Sequence, residues 1–205
     1  MRKVIFAIMG LTLAAGSAQA AGIGARIGTT GLGADVAWDL APTLSARLGY
    51  SGGTVNHDVS TDLTTYHGKL GLKNLNTFLD FAPLGPFFRI TGGFIFNDNK
   101  FDVHSDQVKG SSISGTVKPE KSAAPYLGIG YGRVSGTGVN FYADLGVMYQ
   151  GSPKASLTAN CGAGVSATQC SQAQSQAASE QAALEDKLKN AKYYPVLNIG
   201  VTIGF

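Results

Sequence analysis

At 205 residues the chain is about one domain long, and only 14 % of it is charged, with 28 glycines and a mean hydropathy of +0.07. A soluble domain is nearer a quarter charged, and a helical membrane protein needs runs of about 20 apolar residues, which the chain beyond its first twenty residues lacks. The formal net charge of +3 falls to +1 when Arg2 and Lys3 are set aside, fourteen basic against thirteen acidic residues, so charge gives no ground for a nucleic-acid partner.

Residues 1–20 have the three-part layout of a secretory signal peptide: the basic start Arg2-Lys3, an apolar stretch over residues 4–16, and the small-residue site Ala18-Gln19-Ala20. An uncleaved anchor is the alternative, and the short apolar stretch ending in A-x-A argues against it. Residues 21–205 then form one exported domain.

From Gly22 onward, segments of alternating hydrophobicity between turn signals repeat eight times. That is the pattern of an all-β, eight-stranded antiparallel transmembrane β-barrel with short periplasmic turns and long outer loops. The first strand, residues 22–29, sets Ile23, Ala25 and Ile27 against Arg26. After a turn at Thr30-Gly31, residues 32–40 set Leu32, Ala34, Val36, Trp38 and Leu40 against Asp35 and Asp39. The third strand, residues 44–53, points Leu48 and Tyr50 outward and Arg47 inward, and a polar loop is expected over residues 54–63. In the fourth, residues 64–82, Leu70 and Leu72 have one parity while Leu75, Leu79 and Phe81 have the other. A β-bulge near Lys73-Asn74 would reconcile them, turning Lys69, Lys73 and Asp80 inward.

The fifth strand, residues 87–96, carries Phe88, Ile90, Phe94 and Phe96 opposite Arg89, and a long loop over residues 97–123 follows. Residues 124–133 and 138–150 are strands six and seven, the latter with Asp144 inward. The last strand, residues 193–205, alternates Leu197, Ile199, Val201, Ile203 and Phe205 with Asn198, Gly200, Thr202 and Gly204. A lipocalin-like soluble barrel would reverse the facing, but the charges of the other face are too few for a solvated exterior.

Arg26, Asp35, Asp39, Arg47, Lys69, Lys73, Asp80, Arg89 and Asp144 thus form the expected interior set. Eight strands leave room only for side chains, and buried charges must pair, so an ion-pair network is expected, Arg26 with Asp35 first. It either fills the barrel or lines a narrow polar path.

In the third long loop, residues 151–192, Cys161 and Cys170 are expected to bridge in an oxidising compartment. The Ala-, Gln- and Glu-rich residues 171–191 favour helix, with Ala173, Ala177, Leu184, Leu188 and Ala191 on one face and Glu185 one turn before Lys189. His57, His67 and His104 form no pattern with a serine and an acid. No enzyme activity, metal or cofactor is expected.

The strand Tyr193-Tyr194-Pro195-Val196-Leu197-Asn198-Ile199-Gly200-Val201-Thr202-Ile203-Gly204-Phe205, the stretch from Ala143 to Gly151 and the run from Ala124 to Gly130 resemble the small outer-membrane β-barrels of the OmpW/OmpX/opacity-protein type. The likeness spans essentially all of residues 21–205 at the level of pattern. It implies insertion into the outer membrane of a Gram-negative cell as a monomer in contact with lipid. Roles in that group range from passage of small hydrophobic solutes to adhesion, the loops meeting extracellular ligands. Phe205, with Ile203 and Val201, resembles the terminal signal that outer-membrane assembly machinery reads. No catalytic residue carries over. The expected function is a non-enzymatic structural or surface-interaction protein of the envelope, with a narrow channel or transporter as the alternative.

Overall fold

The structure, a computed structural model, describes residues 20–60, 65–85, 87–105, 111–162 and 164–205. The expected leader lies, but for Ala20, outside them. The described residues form eleven strands and one helix: β1 (Ala21–Gly28), β2 (Gly31–Ala41), β3 (Leu44–Ser60), β4 (Thr65–Phe81), β5 (Phe88–Asn97), β6 (Lys100–Ser105), β7 (Ser111–Lys118), β8 (Ala123–Gly132), β9 (Gly138–Tyr149), β10 (Lys154–Cys161), α1 (Ala167–Leu188) and β11 (Tyr193–Gly204). The helix is not apolar enough to cross a membrane, which has no bearing on strands.

Eight strands pair in a ring, β1-β2-β3-β4-β5-β8-β9-β11 and back to β1, every neighbour antiparallel. Alternation fixes which side chains look out. Ile23 lies between Val36 and Ile203 on one face of the ring, and all three are exposed or half-buried while Arg26 and Asp35, of the other parity, are buried. The hairpin from β1 to β2 turns through Thr29 and Thr30, and Gly31 takes it up at φ +100°, a backbone angle side chains rarely tolerate. Pro42-Thr43 and Gly136, at φ +97°, serve the opposite end of the ring.

The long outer loops are where expectation and structure part. The expected loop over residues 54–63 is strand through Ser60: β3 and β4 pair from Leu44↔Phe81 to Ser60↔Thr65 without a break, and there is no bulge at Lys73-Asn74. β5 leaves β4 at Asn97↔Asn74, and β6 takes over beside it at Lys100↔Gly71. The expected loop over residues 97–123 thus contains the hairpin β6–β7, and the last one contains β10. Together they extend the sheet past the ring in the order β3-β4-β6-β7-β10.

The parity change that suggested a bulge has a different cause. Leu70 and Leu72 share the facing of buried Asn74 and Phe78; Lys69 and Lys73 share that of exposed Leu75 and Leu79. Beyond the ring the polarity of the two faces exchanges while the chain stays in register. Lys69 and Lys73 are accordingly exposed, not interior, which corrects their assignment.

Helix α1 begins at residue 167, four residues before expectation, because Ser166 caps it. Its hydroxyl accepts from the Gln169 amide, and the Gln169 side chain accepts from the Ser166 amide in return. The helix runs along the free edge of β10. Glu185 accepts from the amide of Ala155 at 3.1 Å and Gln181 from that of Leu157 at 3.0 Å. Four residues of helix rise about 6 Å and two of strand about 6.7 Å, so the two spacings match. Buried Ala177 lets the helix approach closely, and Cys161 joins Cys170 at a Cα separation of 5.8 Å. Lys189 pairs with Asp186 at 2.7 Å rather than with Glu185, since Glu185 is engaged by β10.

Candidate functional site: a charged cluster inside the ring

Six of the expected interior residues are buried together: Arg26, Arg47, Arg89, Asp35, Asp80 and Asp144, none more than 3 % exposed. Three cations meet three anions, so the cluster is neutral. Its centre is a four-membered circuit in which Arg47 and Arg89 each hold both Asp80 and Asp144. Arg47 Nη1 donates to Asp144 Oδ2 at 2.6 Å and Nη2 to Asp80 Oδ1 at 3.2 Å. Arg89 Nη1 donates to Asp80 Oδ1 at 3.0 Å and Nη2 to Asp144 Oδ1 at 2.9 Å. Thr91 adds a hydroxyl to Asp80 at 2.5 Å.

Arg26 and Asp35 stand beside this circuit, 3.3 Å apart. Arg26 also donates to Ser51 Oγ at 3.2 Å, and to Asn76 when that amide turns its oxygen inward. The Tyr142 hydroxyl donates to the other oxygen of Asp35. The Tyr142 ring lies 5.1 Å from the Arg47 guanidinium, with the Phe78 ring at 5.2 Å from the same group. This is the geometry in which a cation is attracted to aromatic faces.

Glycines on the inward parity make this packing fit. A Cβ at Gly49 would strike the carboxylate of Asp35, one at Gly200 the ring of Tyr142, and one at Gly130 the Arg89–Asp144 pair. Toward the end from which the sheet extends, an apolar layer of Phe78, Ile95, Ala124, Tyr126, Met148 and Val196 closes over the cluster. At the other end Asp39 is only half-buried. It accepts from Ser45 at 2.7 Å and from Ser135, and lines a recess of about 70 Å³ with Arg133 and Arg89. It belongs to the rim, apart from the circuit.

The arrangement binds charge to charge and leaves no acid or base of the circuit unpaired for proton transfer. Asn76, Phe78, Thr91 and Tyr142 are not among the expected interior residues, although each shares the parity of a charged neighbour on its own strand (Tyr142 of Asp144, Phe78 of Asp80). Among the described residues no group of three or more His, Cys, Asp or Glu is placed to hold a metal. Val201 is half-buried while Ile203 and Phe205 are exposed at the ring surface.

No protein-family model matches the sequence, and no curated protein matches it. Among solved structures the chain is similar to Acinetobacter baumannii CarO2, at 23 % identity and a TM-score of 0.62, covering 92 % of this chain and 100 % of that one. It is similar to Acinetobacter baumannii CarO at 22 % identity and a TM-score of 0.61, covering 90 % and 97 %. A major outer membrane protein from Thermus thermophilus matches at 19 % identity with a TM-score of 0.47, too slight a likeness to bear on the fold. With the two CarO proteins this chain shares the fold.

Proposed function

We propose that the chain is an integral outer-membrane β-barrel, exported by the leader in residues 1–20 and related in kind to the small OmpW/OmpX/opacity-type barrels. In this reading it is a non-enzymatic surface protein of the envelope whose interior is structural filling and whose partners meet the extended sheet. The observation that carries this is the reversal of polarity across the ring wall. Arg26 and Asp35 are 2 % and 1 % exposed, while Phe141, Leu32 and Leu127 on the outer face are 73 %, 67 % and 63 % exposed.

Soluble monomers rarely expose apolar patches beyond a few hundred Å², and here the patch runs round the ring. Its height fits a membrane. Tyr193 and Phe205 end the same face of β11, which at about 3.4 Å per residue and a tilt of about 40° spans roughly 30 Å. Aromatic pairs mark both limits: Tyr149 with Tyr193 at 5.4 Å between ring centres, and Phe87 with Tyr131 at 6.0 Å. Such girdles sit at the two membrane surfaces of outer-membrane barrels. Phe205 then sits where the assembly machinery would engage the terminal strand.

The test is to refold residues 21–205 into phosphatidylcholine vesicles, follow folding by heat-modifiable gel migration, and record conductance in planar bilayers. A folded, silent barrel is expected, because the paired cluster and the apolar layer fill the ring. Regular conductance steps would establish the channel reading instead. A folded monomer in buffer without lipid or detergent would overturn the membrane assignment.

A further inference from the structure

Beyond the ring the outer face of the sheet is polar and uncovered, and its charge is lopsided. Three strands contribute a lysine each at one level. The register pairs Lys118 with Lys154 directly, and extending the β6–β7 register one residue past Phe101↔Val117 brings Lys100 opposite Lys118. Gly71 completes the row on β4. An added Cβ there would meet the Lys100 side chain at 3.6 Å, so Lys100 lies across this face. Lys69 and Lys73 have the same facing on β4.

Like charges directly opposite each other destabilise a sheet, yet this one keeps a row of them. Of the carboxylates near this face Asp98 adds its charge beside Lys100, and the others are already engaged. Asp58 lies 3.0 Å from His67, and Asp102 holds Lys100 at 2.9 Å and Thr116 at 2.7 Å. Those two bonds hold the Asp102 carboxyl below its usual range. Glu120, past the end of β7, accepts from the Ser152 amide at 2.9 Å. Among the described residues no carboxylate comes within ion-pair distance of Lys69, Lys73, Lys118 or Lys154.

The height of the row selects the ligand. Lys73 is two residues beyond Leu75, the last apolar side chain of the belt on β4, and Gly71 is four. At about 3.3 Å per residue and a tilt of about 40° the lysines begin about 5 Å above the apolar edge and the row lies at about 10 Å. That spans the headgroup layer and its outer surface, outside the hydrocarbon. Neighbouring strands are about 4.8 Å apart, so adjacent lysines can flank one phosphate. Above the row a recess of about 420 Å³, lined by His67, Lys69, His104, Ser114, Thr116 and Thr158 among others, offers hydroxyls and donors to a sugar.

We propose that Lys100, Lys118 and Lys154 form a binding site for the phosphate of a glycolipid in the outer leaflet, with its sugar toward the recess. The site rests on the outer-membrane reading.

The test uses the folded mature chain in uncharged detergent micelles, with bis-phosphorylated lipid A or the same lipid stripped of phosphate as probe. Bound lipid is counted by native mass spectrometry. Each lysine near an anionic lipid surface is worth about fivefold. The phosphorylated lipid should therefore bind more tightly, and Lys100→Gln/Lys118→Gln/Lys154→Gln should lose on the order of 100-fold at low salt. The corresponding triple arginine variant should retain binding, and both should keep the heat-modifiable migration of the folded ring. Equal binding of the two lipids, undiminished binding by the glutamine variant, or displacement by equimolar inorganic phosphate would each overturn the glycolipid site. A chain that folds in vesicles yet shows no phosphate preference refutes this site alone; a chain folding without lipid or detergent refutes the membrane reading beneath it.

Discussion

Asp144→Asn tests whether the interior cluster holds the ring together. Asp144 accepts from Arg47 at 2.6 Å and from Arg89 at 2.9 Å, and Asp80 is the other carboxylate in contact with both. The amide keeps the shape but removes the charge, leaving two buried guanidiniums to share one carboxylate. Removing one partner of a buried ion pair costs about 3–5 kcal/mol, because the charge left behind is neither paired nor hydrated. With a urea slope of about 2 kcal/mol/M, a loss of about 4 kcal/mol lowers the unfolding midpoint by about 2 M. The assay is urea unfolding in vesicles followed by Trp38, the single tryptophan of the chain. Asp144→Asn with Arg89→Gln restores neutrality and should recover more than half of the loss, a coupling that a double-mutant cycle measures. A midpoint shift below about 0.5 M for Asp144→Asn, or strict additivity of the pair, would refute the reasoning. The cluster would then be hydrated, and the polar-path reading would regain its footing.

Gly200→Ala places a methyl against the Tyr142 ring, which is pinned through its hydroxyl to Asp35; overpacking of this kind costs about 1–3 kcal/mol, and an unchanged urea midpoint would show that the ring can yield. Replacing Cys161 and Cys170 by serine removes a cross-link between residues nine apart, worth about 2.7 kcal/mol by loop entropy. The effect should be local: hydrogen exchange should speed up in α1 and β10 while the ring stays protected, and uniform loss of protection would contradict it.

The ring strands were legible because lipid-facing and inward positions alternate under one strong rule, and β9 and β11 follow it from end to end. The extension was not. Segments such as Ser111–Lys118 and Lys154–Cys161 alternate small and polar residues, and Ile113, Val117 and Leu157 are too few to stand out. Their pairing depends on β4 outlasting β5, a long-range fact no local pattern encodes. The same limit explains Lys69 and Lys73: the change of apolar parity was read as a bulge, whereas the strand stays in register and the face that meets water changes where the ring ends. Within the cluster, charge was conspicuous in the sequence, whereas Tyr142 and Phe78, aromatic residues of the inward parity, carry no charge to mark them. The Gln181 and Glu185 contacts of α1 needed the position of β10 to acquire meaning, whereas the capping box Ser166–Gln169 was a local signal that went unread.

The helix laid along β10 also bears on how copies of the chain can meet. An uncovered strand edge is a template for another strand, and a sheet with two such edges can add neighbours without end. Here α1 occupies the β10 edge with its own acceptors, while residues 54–60 of β3, where Thr54, Val55, Asn56 and Asp58 are exposed, remain an open edge. Strand addition of β3 against β3 is a two-fold contact that consumes this edge of both partners and stops at two. Through that edge the chain can pair without polymerising.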